Sequence, residues 1–151
     1  MINREVNEDG SIRLSAAGCS YVVRRLRPHV VFLAIEGRET GQLGRAPLGE
    51  VAAEAALQPP LHLIIDMSAL SHVSEAVSND WTAWFQANQQ AVRRVDVLAP
   101  EPFVRLVVAV SQVFSRTGNL IQIHTKADKF AAVLAELAPD FAWRTQADAA
   151  T

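Results

Sequence analysis

Asp66 closes an apolar run, Leu61 to Ile65, and His62, His72, Ser74 and His124 carry the other side chains of this chain best suited to acid–base or nucleophilic chemistry. An aspartate at the end of a buried strand could accept a phosphoryl group. That chemistry needs a magnesium ion held by several oxygen ligands. No acidic pair follows the first strands, and Lys126 is the one matching feature. A hydrolytic triad would need a nucleophile, a base and an orienting acid that converge in space. The chain has no nucleophile-elbow sequence and no HExxH or HxxxH spacing. His62, between Leu61 and Leu63, reads as a hydrogen-bonded structural histidine, and His124 as a residue ending a strand. Gly37, Gly41, Gly44 and Gly49 are scattered, without the lysine that a phosphate-cradling loop requires. The expectation is a non-enzyme with no metal site and no cofactor.

Composition narrows the class further. A chain of 151 residues, 50% apolar and 20% charged, fits one globular domain large enough to fold without crosslinks. Cys19 is the single cysteine, which excludes an internal disulfide and a cysteine-based zinc site. A formal charge of −2 gives no bulk attraction for nucleic acid. Arg24, Arg25 and Arg27 cluster, as do Arg93 and Arg94, but no aromatic stacking platform is interleaved with them, so they read as solvated strand edge and helix surface. No apolar run reaches the length of about eighteen residues that a membrane helix needs. Met1 to Gly10 is polar and lacks a signal-peptide core, so no membrane span and a cytoplasmic location are expected.

The elements that must position these residues follow from periodicity. Ser20 to Leu26 and Val30 to Ile35 are β-rich runs parted by Arg27, Pro28 and His29, which predicts a hairpin. Leu48, Val51, Ala52 and Ala55 mark a helix that Pro59 and Pro60 end. A short strand, Leu61 to Ile65, then gives way to a polar loop. Val77, Trp81, Trp84, Phe85 and Asn88 share one face of an amphipathic helix. Val95 to Ala99 is a strand, a helix runs from Pro102 to about Thr117 and stops at Gly118, and Leu120 to His124 is the next strand. Ala127 to Ala138 is a last helix closed by Pro139, and Phe141 to Thr145 a last extended piece. This alternation predicts an α/β fold: a mixed, mostly parallel sheet with helices packed on it and an N-terminal β-hairpin. Residues 1–18 are expected to form a polar N-terminal extension, 19–145 the domain and 146–151 a tail.

Set within that order, the run Leu-Ile-Ile-Asp-Met-Ser-Ala-Leu-Ser-His-Val-Ser-Glu-Ala-Val at 63–77 resembles the STAS domain of anti-sigma factor antagonists, the SpoIIAA-like family, over about residues 20 to 138. In that family a strand ending Asp-Leu-Ser leads through a loop reading roughly aromatic, aliphatic, Asp, Ser, Ser, Gly into the next helix. Asp66, Met67 and Ser68 match the first part, and His72 and Val73 fall at the aromatic and aliphatic positions. Ser74 replaces the aspartate, Glu75 stands at the phosphorylatable serine, and Ala76 and Val77 replace Ser and Gly. The resemblance implies a regulatory protein–protein interaction module. Its partner-facing loop would comprise Asp66, Ser68, Ser71, His72, Ser74, Glu75 and Ser78, and its partner would be a kinase-like anti-sigma factor. The usual phosphoserine switch is missing, and Ser74 is the first alternative phosphoacceptor, ahead of Ser71 and Ser78. Ser74 also suits a helix N-cap, and Glu75 suits the positive end of the helix dipole.

Two further surfaces compete for function. Val104 and Val108 run beside the core stripe Phe103, Leu106, Val107, Val110 and Phe114, and would form a homodimer or partner contact if exposed. Trp81, Trp84 and Phe85 suggest the alternative of a small apolar-ligand or lipid-binding module. The expected core comprises Leu63, Ile65, Trp81, Trp84, Phe85, Leu106, Val110, Phe114, Ile121 and Leu134.

Overall fold

The computed structural model describes residues 1–105 and 120–143. Four strands come first: β1 (Asn3–Val6), β2 (Ile12–Ala16), β3 (Cys19–Arg27) and β4 (Val30–Glu39). They form an antiparallel meander whose β2–β3 and β3–β4 connections are two residues long. Such tight turns require left-handed backbone. Gly18 supplies it with φ +74 in one, and His29 with φ 68 in the other. Because φ > 0 is unfavourable for a residue with a Cβ, His29 needs support. Gln58 gives it: the His29 N–H donates to Gln58 Oε1 at 2.9 Å, and His29 Nδ1 lies 2.9 Å from the Gln58 carbonyl.

From β4 onward the chain alternates α1 (Ala46–Leu57), β5 (Leu61–Val73), α2 (Glu75–Ala87), β6 (Val92–Leu98), a helix α3 described over 101–105, β7 (Leu120–His124) and α4 (Ala127–Leu137). Strands β4 to β7 pair in parallel, and all seven lie in chain order across the sheet. Right-handed crossovers between successive neighbours place the connecting helices on one face. There Leu48 and Val51 of α1 and Trp84 and Phe85 of α2 pack on Leu33, Leu61, Leu63, Ile65, Val95 and Val97. The opposite face carries α4, where Phe130 and Leu134 meet Val30, Phe32, Ile64 and Leu98. Covering on both sides explains why Leu63, Ile64 and Ile65 are consecutive and all buried.

The expected element order is observed over the described residues, which leave out most of the expected helix Pro102 to Thr117, with these differences in detail. The described sheet is mixed, but three of its six pairings are antiparallel, because residues assigned to a polar extension join it. β1 is exposed throughout, whereas Leu14 of β2 is only 1% exposed and anchors the first hairpin to the core. Strand β5 does not stop at Asp66. It continues to Val73, pairing with β4 as far as Glu39, and two register shifts interrupt the ladder. Each adds a residue to β5, so the inward side chains change phase from Ile65 and Met67 to Leu70, which hides the strand from a period-two reading. Residues 141–143 are outside any strand; Phe141 packs on Phe32 and Trp143 on Phe130 to close the α4 face.

Of the expected core, Leu63, Ile65, Trp84, Phe85 and Leu134 are buried, while Trp81 and Ile121 are half-buried against it. Leu106, Val110 and Phe114 lie outside the described residues, as do Val108 and the tail from 144 onward.

Candidate functional site

The carboxyl end of β5 and the start of α2 hold the residues singled out from sequence. Asp66 is a local organiser: its Oδ1 accepts the Ser68 N–H at 2.9 Å and the Ser68 hydroxyl at 2.6 Å, and its Oδ2 accepts the Trp143 indole N–H at 2.9 Å. Ser71 is exposed and donates to the Gly37 carbonyl at 3.0 Å. His72 pairs with Arg38 across the β4–β5 ladder. Asp66 and Ser74 are therefore separated by a length of strand, on the order of 25 Å at roughly 3.3 Å per residue, and form two places.

Ser74 has extended backbone, φ −76 and ψ 155, and its Oγ accepts the Val77 N–H at 3.3 Å as the N-cap of α2. Its own N–H donates to the Glu39 carbonyl at 2.9 Å, tying the helix start to the end of β4. Glu75 is the first residue of α2 and is exposed, with its carboxylate at the positive end of the helix dipole. Ser78 is half-buried. Ser74→Ala should lower stability by about 1 kcal/mol, the ordinary loss of a serine cap, read from the urea midpoint at constant slope. Val104 is half-buried against the main core, so part of the stripe expected to face a partner packs inward.

Two polar centres were not identified from sequence. Under α4, Asp96 is fully buried. Its Oδ2 receives His62 Nε2 at 2.6 Å and Arg94 Nε at 2.9 Å, and its Oδ1 receives His124 Nε2 at 2.8 Å and Arg94 Nη2 at 3.3 Å. Burial alone would raise this carboxyl, but the hydrogen bonds from His62, Arg94 and His124 outweigh it and hold the group well below the usual carboxylate range. Thus the two histidines converge on Asp96 and not on Asp66 or Ser74. Neither imidazole has a serine, threonine or cysteine hydrogen-bond partner among the described residues, so the cluster is a clamp across β5, β6 and β7. The available signal was an aspartate between Val95 and Val97 in a central strand, since a buried charge must find partners.

The second centre joins β3, β4 and α2. Glu39 is 2% exposed and accepts the Gly41 N–H at 2.9 Å. Tyr21 lies beside it, and burial first, and the Glu39 carboxylate second, push the Tyr21 hydroxyl above its ordinary value. Cys19 is buried, and burial together with the Glu39 and Glu36 carboxylates pushes its thiol up to about 12, so it stays protonated and unreactive at neutral pH. Beside this centre, an apolar cavity of about 90 Å³ lies between the sheet and α2, with Leu33, Ile65 and Val97 on the sheet side and Trp81 and Phe85 on the helix side. Among the described residues, no three histidine, cysteine, aspartate or glutamate side chains are grouped to hold a metal ion. Nor is any described helix long and apolar enough to cross a membrane.

No protein-family model matches the chain, and no curated protein matches it in sequence. Solved structures do match. An anti-sigma factor antagonist from Mycobacterium paratuberculosis superposes with a TM-score of 0.55 at 17% identity, covering 79% of this chain and 97% of that one. An uncharacterised protein of the DUF3478 family with a SpoIIAA-like fold, from Shewanella loihica PV-4, superposes with a TM-score of 0.51 at 15% identity, covering 80% and 96%. The chain has a STAS-like fold.

Proposed function

We propose that the chain is a non-enzymatic regulatory module that presents the entrance of α2, from Ser71 to Ser78, to a cytoplasmic protein partner of the kinase-like anti-sigma type. The STAS-like fold supports the class. The single observation that carries the proposal is Glu75: an exposed carboxylate in the first turn of α2, beside a serine whose oxygen caps the helix. A phosphoserine carries about −1.5 to −2 charge at neutral pH, so Glu75 supplies a smaller but permanent negative charge at the same helix end. The module then needs no phosphorylation at that position to display an acidic contact. Ser74 is the acceptor for any added phosphate, because a negative group there is favoured by the helix dipole and the neighbouring N–H groups. Dimerisation through Val104 and Val108 is a secondary proposal, weakened by the packing of Val104 on the core.

Glu75→Gln removes the charge at constant size, and Glu75→Ser restores a hydroxyl. Calorimetry against a partner captured with the tagged chain should give altered affinity for both variants. Stability should fall by no more than about 0.3 to 1 kcal/mol, the worth of a charge at a helix end. Equal affinity for all three proteins would reduce Glu75 to a helix-end residue and refute its role as a built-in phosphate substitute.

A further inference from the structure

We propose that the cavity between the sheet and α2 is a binding site for a small apolar molecule, of the size of a single ring or a short branched alkyl group. The proposal stands apart from the role of Glu75. The cavity reaches deep into the fold: Leu33, Ile65 and Val97 are 0%, 8% and 4% exposed, and the Phe85 ring lies across from them at 5%.

Polarity argues against water as the occupant. Glu39 and Tyr21 line the cavity, but the Glu39 carboxylate accepts the Gly41 N–H, and nearly all of the remaining lining is apolar. No buried side-chain polar atom among the described residues lacks a hydrogen-bond partner. A buried water needs two to four polar partners, and this almost wholly apolar lining offers too few. Water in such a lining gains few hydrogen bonds, and the lining forfeits dispersion contacts that an apolar guest restores.

Volume then selects the guest. About 90 Å³ is of the same order as, but less than, the roughly 150 Å³ apolar cavity known to accept benzene. Pockets for drug-sized or lipid ligands run to roughly 300–1,000 Å³. A whole acyl chain therefore does not fit, and the lipid-binding alternative narrows to a compact apolar group. Access does not require unfolding, because Val73, Ser78, Trp81 and Ile121 line the cavity and are only half-buried. Recognition would be by shape and apolarity, with Trp81 and Phe85 supplying flat aromatic surface.

The full chain, titrated with benzene and separately with octanoate, tests the proposal. Benzene at ten times its Kd should raise the melting temperature by about 3 to 6 °C. Methyl NMR shifts should be confined to residues that line the cavity, among them Leu33, Ile65, Val77 and Val97. Octanoate should bind more weakly than benzene. Two variants reduce the space, Val97→Leu from the floor and Val77→Phe from α2, so that one folded variant suffices if the other fails. Each should weaken benzene binding by about tenfold or more, since one methylene in an apolar pocket carries that much discrimination. Absence of saturable benzene binding, benzene affinity retained in both folded variants, or tighter binding of octanoate would each overturn the proposal. None of these outcomes bears on the Glu75 variants, whose readout is partner affinity.

Discussion

Asp96→Ala should lower the unfolding free energy by about 3 kcal/mol at neutral pH, measured by urea denaturation. The carboxylate is fully buried, and three side chains from β5, β6 and β7 donate to it. Removing one member of such a cluster leaves the others desolvated without a partner, which outweighs the modest net worth of each hydrogen bond. The loss falls at the low end of the range for broken buried pairs because Arg94 is 38% exposed and can turn to solvent. Asp96→Asn keeps the volume and one acceptor, and should fall between the two.

Acid provides a second readout. The folded-state carboxyl is held below the ordinary value of about 3.9, so folding favours the ionised form. Its stabilisation is therefore complete above about pH 4 and erodes as the pH falls towards the lower folded value. The gap between the native chain and Asp96→Asn should shrink as the pH falls below about 4. A gap that did not shrink there would show that Asp96 is not the ionised centre of the clamp.

Phe130→Ala should destabilise by about 3 to 5 kcal/mol, the range for truncating a buried aromatic side chain. Phe130 is fully buried, and its ring centroid lies 5.1 Å from that of Trp143 and 5.9 Å from that of His124. It joins α4 to both the closing segment and the Asp96 clamp. Because Trp143 in turn donates to Asp66 at 2.9 Å, the truncation should also loosen the start of the Asp66–Ser68 turn. Tryptophan emission should shift to the red in the folded variant. If the urea midpoint moved by less than that of Ser74→Ala, α4 would not be an integral part of the folded unit.

What could be read in the sequence was what is local. The α2 cap was legible because Ser74 and the amide it accepts are three residues apart. The helices announced themselves through one apolar face each. β5 beyond Asp66 was not legible, since its two extra residues break the alternation on which strand reading depends. β1 was missed for a different reason: all four of its residues are exposed, so no apolar pattern exists to find, and only Leu14 on the next strand betrays the hairpin. The Asp96 clamp escaped because its histidines are 34 and 28 residues away, and their meeting depends on strand order that periodicity does not encode.

The strict chain order of the seven described strands has a consequence for synthesis. Each new strand pairs with the one made just before it, so no strand must wait for a distant segment or insert between two already joined. The N-terminal meander closes through short loops, which form rapidly, and every later strand brings only one crossover to the growing edge. On a ribosome that adds roughly 5 to 20 residues per second, the sheet can extend in step with emergence of the chain. The transiently open edge is then always the most recent strand. Only when β7 arrives with His124 does Asp96, already paired on one side with His62, acquire its final partner, so the buried charge is sealed last.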